Sequence, residues 1–249
     1  MFLTSDLLSR AGVVHGFSTR GGGISVAPWD SLNLGGSVGD DPAAVEENLV
    51  RLARAAGIAR AAFRSAVQVH GDRVLVVGEG PHDPAKEADA LLATAPGVAV
   101  AVKTADCVPI LLFDRATGAA AAVHAGWRGT AAAIARRAVE ALSGQGGGPH
   151  SILAAVGPAI GPCCYEVSPE LAERFAARHA EGVVRGRQLD LAEANRRLLL
   201  EAGVPAAQIE VLGRCTACEP ARFFSHRRDA GRTGRHLSFV VAQGARSLS

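Results

Sequence analysis

The chain of 249 residues is 48% hydrophobic and 20% charged, which supports a full hydrophobic core and excludes a disordered protein. Its 26 basic and 24 acidic residues leave a net charge of +2 and are spread along the chain, which argues against binding nucleic acid or membrane through bulk charge. No signal peptide or apolar stretch of about 20 residues occurs, so we expect a soluble cytoplasmic protein. Without a linker, residues 1–249 are expected to form a single domain and a monomer.

Hydrophobic spacing predicts an α/β fold. A helix is expected over residues 40–57, with Asp40 or Asp41 as its cap, Pro42 in its first turn and Gly57 at its end. Short apolar runs predict buried strands at residues 66–69, 74–77, 98–102, 108–113, 119–123, 152–156, 209–212 and 237–241. Further helices are predicted at residues 130–142, 169–179 and 191–202. The helix at 130–142 would join two strands of one sheet.

Three potential metal ligands lie at the ends of predicted strands. His70, Cys107 and His124 stand where loops of an α/β sheet project side chains into a shared crevice. Two imidazoles and one thiolate suit zinc, and three protein ligands leave a fourth position open for catalysis. Their separations of 37 and 17 residues match no compact zinc motif, so by spacing alone packed core residues remain the commoner explanation.

The other cysteines have less specific patterns. Cys215 and Cys218 have the spacing of a structural or redox pair, but no second such pair completes a four-ligand site. Cys163 and Cys164 are adjacent, which argues against their binding one ion together and favours packing near a turn. The basic run at residues 222–235 is either a solvated face or an anion-binding rim.

An ordered series of motifs resembles one family. The motifs are QVHG (68–71), EADALLAT (87–94), TADCVPILLFD (104–114), HAGWRGT (124–130), GPAIGPCCYEV (157–167), LDLAEANRRLL (189–199), CTAC (215–218) and FFSHRRDAGRTGR (223–235). This series resembles the YfiH family, also called PgeF or laccase-domain proteins, with the vertebrate relative FAMIN. The resemblance implies a single-domain, three-layer α/β/α sandwich with a mixed β-sheet, and a Zn²⁺ site formed by His70, Cys107 and His124.

The resemblance also implies an activity on purine nucleosides. Expected reactions are phosphorolysis of adenosine, inosine and guanosine, cleavage of methylthioadenosine, and deamination of adenosine. A nucleoside and phosphate would then be the partners. One alternative is a hydrolase that edits a peptidoglycan precursor by removing misincorporated serine, with zinc or with Cys107 as a nucleophile; another is a non-catalytic binding protein. Copper and polyphenol oxidation fit less well, because no His-x-His pair occurs and Met1 is the only methionine.

Motif position suggests roles for further residues. Besides Cys107 and His124, the catalytic candidates are Asp106 and Arg128, and Arg128 beside His124 is the first candidate for receiving phosphate. The substrate-binding candidates are polar or charged residues near the same motifs: Arg20 as a second phosphate ligand, Asn33 for the ribose hydroxyls, and Asp89 as an acceptor from sugar or base. Glu166 is an alternative to Asp106 for carrying protons. His226 is expected on the pocket rim, at a position where the family commonly has tyrosine.

Overall fold

A computed structural model describes residues 1–179 and 182–244. The strands in these ranges are β1 (Phe2–Leu3), β2 (His15–Ser18), β3 (Phe63–Arg64), β4 (Val74–Val77), β5 (Ala90–Ala93), β6 (Ala99–Thr104), β7 (Val108–Asp114), β8 (Ala120–Ala125), β9 (Ile152–Val156), β10 (Val184–Arg185), β11 (Gln188–Leu189), β12 (Ile209–Val211) and β13 (His236–Val241). The α-helices are α1 (Asp6–Arg10), α2 (Pro42–Ala56), α3 (Trp127–Ala131), α4 (Ile134–Ser143), α5 (Pro169–Arg178) and α6 (Leu191–Glu201).

Most strands belong to two mixed sheets. The five-stranded sheet has the order β1-β2-β13-β6-β3, in which β3 runs parallel to β6 and the other neighbours are antiparallel. The six-stranded sheet has the order β12-β9-β7-β8-β5-β4, with parallel pairs at both edges and antiparallel pairs between them. Helix α4 joins β8 to β9, which confirms the predicted strand-helix-strand unit.

The two sheets stack face to face between outer helices. Alternate side chains of β7 show the arrangement: Leu111 and Phe113 face the other sheet, whereas Ile110 and Leu112 pack with α4 and α6. Leu52 of α2 covers the far side of the five-stranded sheet. The structure confirms the α/β class, the mixed strand pairing and the outer helices. It shows in addition that the sheet layer of the expected sandwich is double.

Local signals define α2 as predicted. The Asp41 side chain accepts a hydrogen bond from the backbone N–H of Ala43, and Pro42 occupies the first turn. Gly57 ends the helix at φ +67°, a left-handed conformation that costs glycine little. These caps depend on neighbouring residues only, which is why the sequence predicts them.

The structure corrects two predicted elements. Residues 66–69 do not form a strand: only an isolated pairing joins Val67 to Glu87, and the side chains of Val67 and Val69 are exposed. The single helix predicted at residues 130–142 is two helices, because Ala133 adopts φ +60° between α3 and α4. Within residues 1–179 and 182–244, no helix has the length and apolarity needed to cross a bilayer.

Candidate active site

The paired strands β7 and β8 bring two of the predicted ligands together. Cys107 immediately precedes β7, and His124 lies near the end of β8. Because these strands are antiparallel, with Pro109 opposite His124, the start of one lies beside the end of the other. His70 comes from the loop before β4, and its ring lies edge-on to that of His124 at 4.8 Å between centroids. The ligand atoms of His70, Cys107 and His124 all lie within 4.8 Å of one another.

A buried carboxylate shapes the His70 loop. His70 has φ +60°, a conformation that costs a non-glycine residue about 1–3 kcal/mol. Asp89 accepts hydrogen bonds from the backbone N–H groups of Val69, His70 and Gly71 at 3.2, 2.9 and 2.7 Å. These three bonds offset the backbone strain, since each is made to an ionised acceptor.

The same carboxylate orients His124. Asp89 Oδ1 lies 2.8 Å from His124 Nδ1, which leaves Nε2 of that ring to serve as a ligand. Asp89 is fully buried, and both of its oxygens are engaged. Burial raises its pKa, but His124 and the backbone amides outweigh burial and lower the pKa overall. The expectation that Asp89 accepts from sugar or base is therefore corrected: it positions two of the three ligands.

The electrostatics of the three ligands favour a bound cation. Burial raises the pKa of the Cys107 thiol, but the adjacent His124 and His70 outweigh it and lower the pKa to about 6. Burial lowers the pKa of His124, whereas Cys107 and Asp89 raise it to about 9. A thiolate and two imidazoles, with a carboxylate behind one of them, form a donor set that fits zinc.

Gly126 gives these ligands room. A Cβ atom at this position would lie 3.0 Å from His70 Cδ2 and 3.1 Å from Cys107 Sγ. A side chain there would press on both ligands at once. The first glycine of the HAGWRGT motif therefore has a steric role at the site.

The three ligands line a cavity of about 770 Å³, a volume within the range of small-molecule binding sites. The predicted Asp106, Arg128 and His226 also line it. The guanidinium of Arg128 lies over the Trp127 ring at 4.4 Å, which holds it at the cavity mouth. The structure thus brings six predicted residues together.

Asp106 lines the cavity, but its carboxylate is occupied. It accepts a hydrogen bond from Thr216 Oγ1 at 2.6 Å and another from the backbone N–H of Arg227 at 2.7 Å. Asp106 directly precedes Cys107 and has a φ of +90°. The two hydrogen bonds therefore hold the turn that presents the Cys107 thiol. Asp106 acts in this structure as a positioning residue for Cys107 and Arg227 rather than as a free proton carrier.

Three other predicted residues lie outside the cavity lining. Arg20 pairs with Asp30 at 3.1 Å. Asn33 is fully buried, donates to Asp40 and accepts from the Arg235 backbone N–H at 2.8 Å, so it is not available to ribose. The structure corrects these expectations, because internal partners occupy both side chains.

Glu166 is the third of these residues. Its carboxylate pairs with Arg187, and its backbone carbonyl accepts from the guanidinium of Arg227. It therefore holds the side chain of Arg227, which lines the cavity, but does not line the cavity itself.

Several cavity residues escaped the sequence analysis. Lys103, Tyr165, Arg227 and Arg235 line the cavity, and the Arg227 guanidinium lies 5.0 Å from the Tyr165 ring centroid. Burial lowers the pKa of Lys103, with a smaller contribution from the charge of Arg60. The only sequence signal for Arg227 and Arg235 was the basic run, whose interpretation as an anion-binding rim now has geometric support.

Several proteins similar to this chain are named purine nucleoside phosphorylases. The profile of the family described as "Multi-copper polyphenol oxidoreductase laccase" matches residues 14–243. A protein named purine nucleoside phosphorylase from Deinococcus radiodurans is 46% identical over 235 residues, covering 92% of this chain and 88% of that protein. Purine nucleoside phosphorylase YfiH from Escherichia coli is 43% identical over 235 residues, covering 92% and 93%.

Solved structures share the fold along nearly the whole chain. The crystal structure of YlmD from Geobacillus stearothermophilus has a TM-score of 0.88 at 40% identity and covers 96% of this chain and 94% of its own. That of the hypothetical protein YfiH from Bacillus licheniformis has a TM-score of 0.85 at 37% identity, with 93% of each chain covered. The chain therefore belongs to the YfiH family of laccase-domain proteins.

Proposed function

We propose that this protein is a purine nucleoside phosphorylase that uses one zinc ion held by His70, Cys107 and His124. The observation that carries the proposal is that these ligands share one cavity with three arginines and a lysine. Such a site can hold a phosphate through its cationic side chains, close to the three residues that would hold the metal. The names of the relatives point to the same reaction class.

Zinc fits the donor set better than copper. Within the described ranges, two groups of side chains could share an ion, and neither has the many histidines that a multi-copper centre needs. Met1 is the only methionine and does not line the cavity, so the axial ligand usual in blue-copper sites is absent from it. When bound, the metal supplies Lewis-acid polarisation to the site.

The cationic side chains suit phosphate as the nucleophile. In phosphorolysis, a phosphate oxygen bonds to C1′ of ribose as the bond from C1′ to the purine nitrogen breaks, giving ribose 1-phosphate and free base. Arg128, Arg227 and Arg235 would bind and orient the phosphate through charge-assisted hydrogen bonds. Lys103 and His226 are two cavity side chains able to donate a hydrogen bond or proton to the departing purine.

The finer parts of the proposal concern substrates. Adenosine, inosine, guanosine and methylthioadenosine share the purine and ribose that this mechanism needs. Adenosine deamination is also proposed, with water attacking C6 and ammonia leaving, although the engagement of Asp106 means that its proton carrier lies elsewhere in the cavity. We further propose a cytoplasmic monomer.

Product analysis tests the proposal. Zinc-loaded protein is incubated with each nucleoside, with and without phosphate, and the products are separated by chromatography. We expect free base and ribose 1-phosphate, or methylthioribose 1-phosphate from methylthioadenosine, only when phosphate is present, and inosine from adenosine. If no base, sugar phosphate or inosine forms, the nucleoside proposal is wrong, and hydrolysis of a cell-wall precursor becomes the reaction to assay.

Matched variants assign the activity to the cavity. Arg227→Ala should weaken phosphate use, because its guanidinium lines the cavity. Arg232→Ala is the control, because Arg232 belongs to the same basic run but is exposed and outside the lining. Equal effects of the two substitutions would contradict the assignment.

A further inference from the structure

The four cysteines outside the active site meet in one cluster. Cys163 and Cys164 lie in a turn after β9, and Cys215 and Cys218 follow β12. Their sulfur atoms all lie within 4.8 Å of one another, and Cys218 Sγ is 3.5 Å from Cys163 Sγ and 3.4 Å from Cys164 Sγ. The two sequence pairs, which predict separate structural roles, are therefore one group in space.

The separations match those of a tetrahedral metal site. A zinc–sulfur bond of about 2.3 Å in tetrahedral geometry places neighbouring sulfurs about 3.8 Å apart. Two of the observed separations are 3.5 and 3.4 Å and none exceeds 4.8 Å, so the cluster has the dimensions of such a site. They exceed the roughly 2.05 Å of a disulfide bond, and all four thiols are free.

The backbone around the cluster suits thiolate ligands. The N–H of Gly161 donates to Cys215 Sγ at 3.3 Å. The N–H groups of Cys164 and Tyr165 both bond to the Gly161 carbonyl at 3.0 Å, and this tight turn carries the two adjacent cysteines. That turn overcomes the sequence argument against adjacent ligands, because it brings both thiols to Cys218.

The cluster also joins the two segments that frame Asp106. Residues Ala159 and Cys215 pair as an isolated bridge, and the Ile160 N–H bonds to the Asp106 carbonyl. Thr216, between the two clustered cysteines of its own segment, donates to Asp106 Oδ1 at 2.6 Å. An ion at the cluster would fix both segments and, through them, the turn that presents the catalytic-site thiol.

We propose that Cys163, Cys164, Cys215 and Cys218 form a second, structural metal site for one tetrahedral zinc ion. Four protein ligands complete the coordination of zinc, so this site is closed and does not take part in catalysis. It is independent of the proposed nucleoside reaction. Its role is to hold the wall of the active-site cavity.

Metal counting tests this site. Protein expressed with zinc and freed of loosely bound metal is analysed by elemental mass spectrometry. We expect two zinc ions per wild-type chain, one in the double variant Cys215→Ser/Cys218→Ser, and one in His70→Ala/His124→Ala. Two zinc ions retained after loss of Cys215 and Cys218, or a His70→Ala/His124→Ala protein without zinc, would overturn the proposal.

A second measurement does not depend on the cysteine variant folding. In the His70→Ala/His124→Ala protein, which retains the four clustered cysteines, cobalt replaces zinc. We expect intense sulfur-to-cobalt charge-transfer absorption and d–d bands of tetrahedral thiolate coordination. Their absence, stoichiometric iron instead of zinc, or a disulfide among these four cysteines in protein purified under reducing conditions would each show that the zinc assignment is wrong.

Discussion

Asp89 is the residue whose substitution tests the site geometry most sharply. Its Oδ1 accepts from the His70 N–H and lies against His124 Nδ1, and its Oδ2 accepts from the N–H groups of Val69 and Gly71. In Asp89→Asn, the amide NH₂ must replace one of these oxygens. With the NH₂ at the Oδ2 position, the N–H groups of Val69 and Gly71 both lose their acceptor. With the NH₂ at the Oδ1 position, the His70 N–H loses its acceptor, and the bond to His124 is kept only if the ring changes its tautomer.

The expected loss of stability follows from those bonds. Hydrogen bonds to a charged group contribute about 1.5–3 kcal/mol each, so losing one or two should lower the free energy of unfolding by about 1.5–6 kcal/mol. Metal affinity should fall about 10- to 100-fold, the usual effect of removing a carboxylate behind a ligand. An amide that donates to Nδ1 would also place the proton of His124 on Nε2, where it blocks metal binding.

Denaturant unfolding and competition with a zinc chelator measure the two effects. Asp72→Asn is the matched control, because Asp72 pairs with Arg137 and both side chains are partly exposed to solvent. Such a pair contributes about 1 kcal/mol or less. If Asp89→Asn changed unfolding free energy and zinc affinity no more than Asp72→Asn does, the positioning role of Asp89 would be refuted.

Three further predictions concern charge and pH. Arg128→Ala should lower kcat/KM for phosphate about 10- to 150-fold, the equivalent of a charge-assisted bond of about 1.5–3 kcal/mol, while Arg232→Ala leaves it unchanged in steady-state assays. Burial lowers the pKa of His236 to about 3, so its contribution to stability is present above pH ~6.5 and is lost as pH falls towards 3. Denaturation at several pH values should show the stability difference between wild type and His236→Gln shrinking over that window; a constant difference would contradict it. After zinc removal, the rate of Cys107 alkylation should rise with pH, with a midpoint near pH 6, and added zinc should protect the thiol. Slow alkylation of the metal-free thiol at pH 7 would contradict the lowered pKa of Cys107.

Features that depend on neighbouring residues were predictable from the sequence. The caps of α2 are one case, because a cap needs only its adjacent residues to be recognised. The metal-ligand set of His70, Cys107 and His124 was predicted from the resemblance to a family, since strand-end position alone left core packing the commoner explanation. His70 shows the limit of that reasoning. It was expected to follow a strand at residues 66–69, but a loop anchored by Asp89 presents it instead.

The roles of single polar residues were not predictable, because long-range contacts decide them. Asp89 and Asn33 have the side chains of substrate ligands, yet each is consumed by buried hydrogen bonds to distant residues. Arg235 reaches the cavity because β13 pairs with β6, a contact between segments far apart in sequence. Hydrophobic pattern does not report such contacts.

The double sheet and the cysteine cluster were not predictable from the sequence, for one common reason. The strand β7 is apolar on both faces, which indicates burial but does not distinguish a covering helix from a covering sheet. The spacing within each cysteine pair gives no sign that the two pairs meet, since β9 and β12 must first lie parallel and adjacent. Pairing between strands supplies the missing information in both cases.

The most direct test follows labelled phosphate. Zinc-loaded protein is incubated with inosine and isotopically labelled inorganic phosphate, alongside His124→Ala protein treated in the same way. Phosphorolysis in the metal cavity predicts that the label enters ribose 1-phosphate in step with hypoxanthine release, and that both products disappear in the variant. Hypoxanthine released while the label stays in inorganic phosphate, or unchanged labelling in His124→Ala, would contradict phosphorolysis at this site.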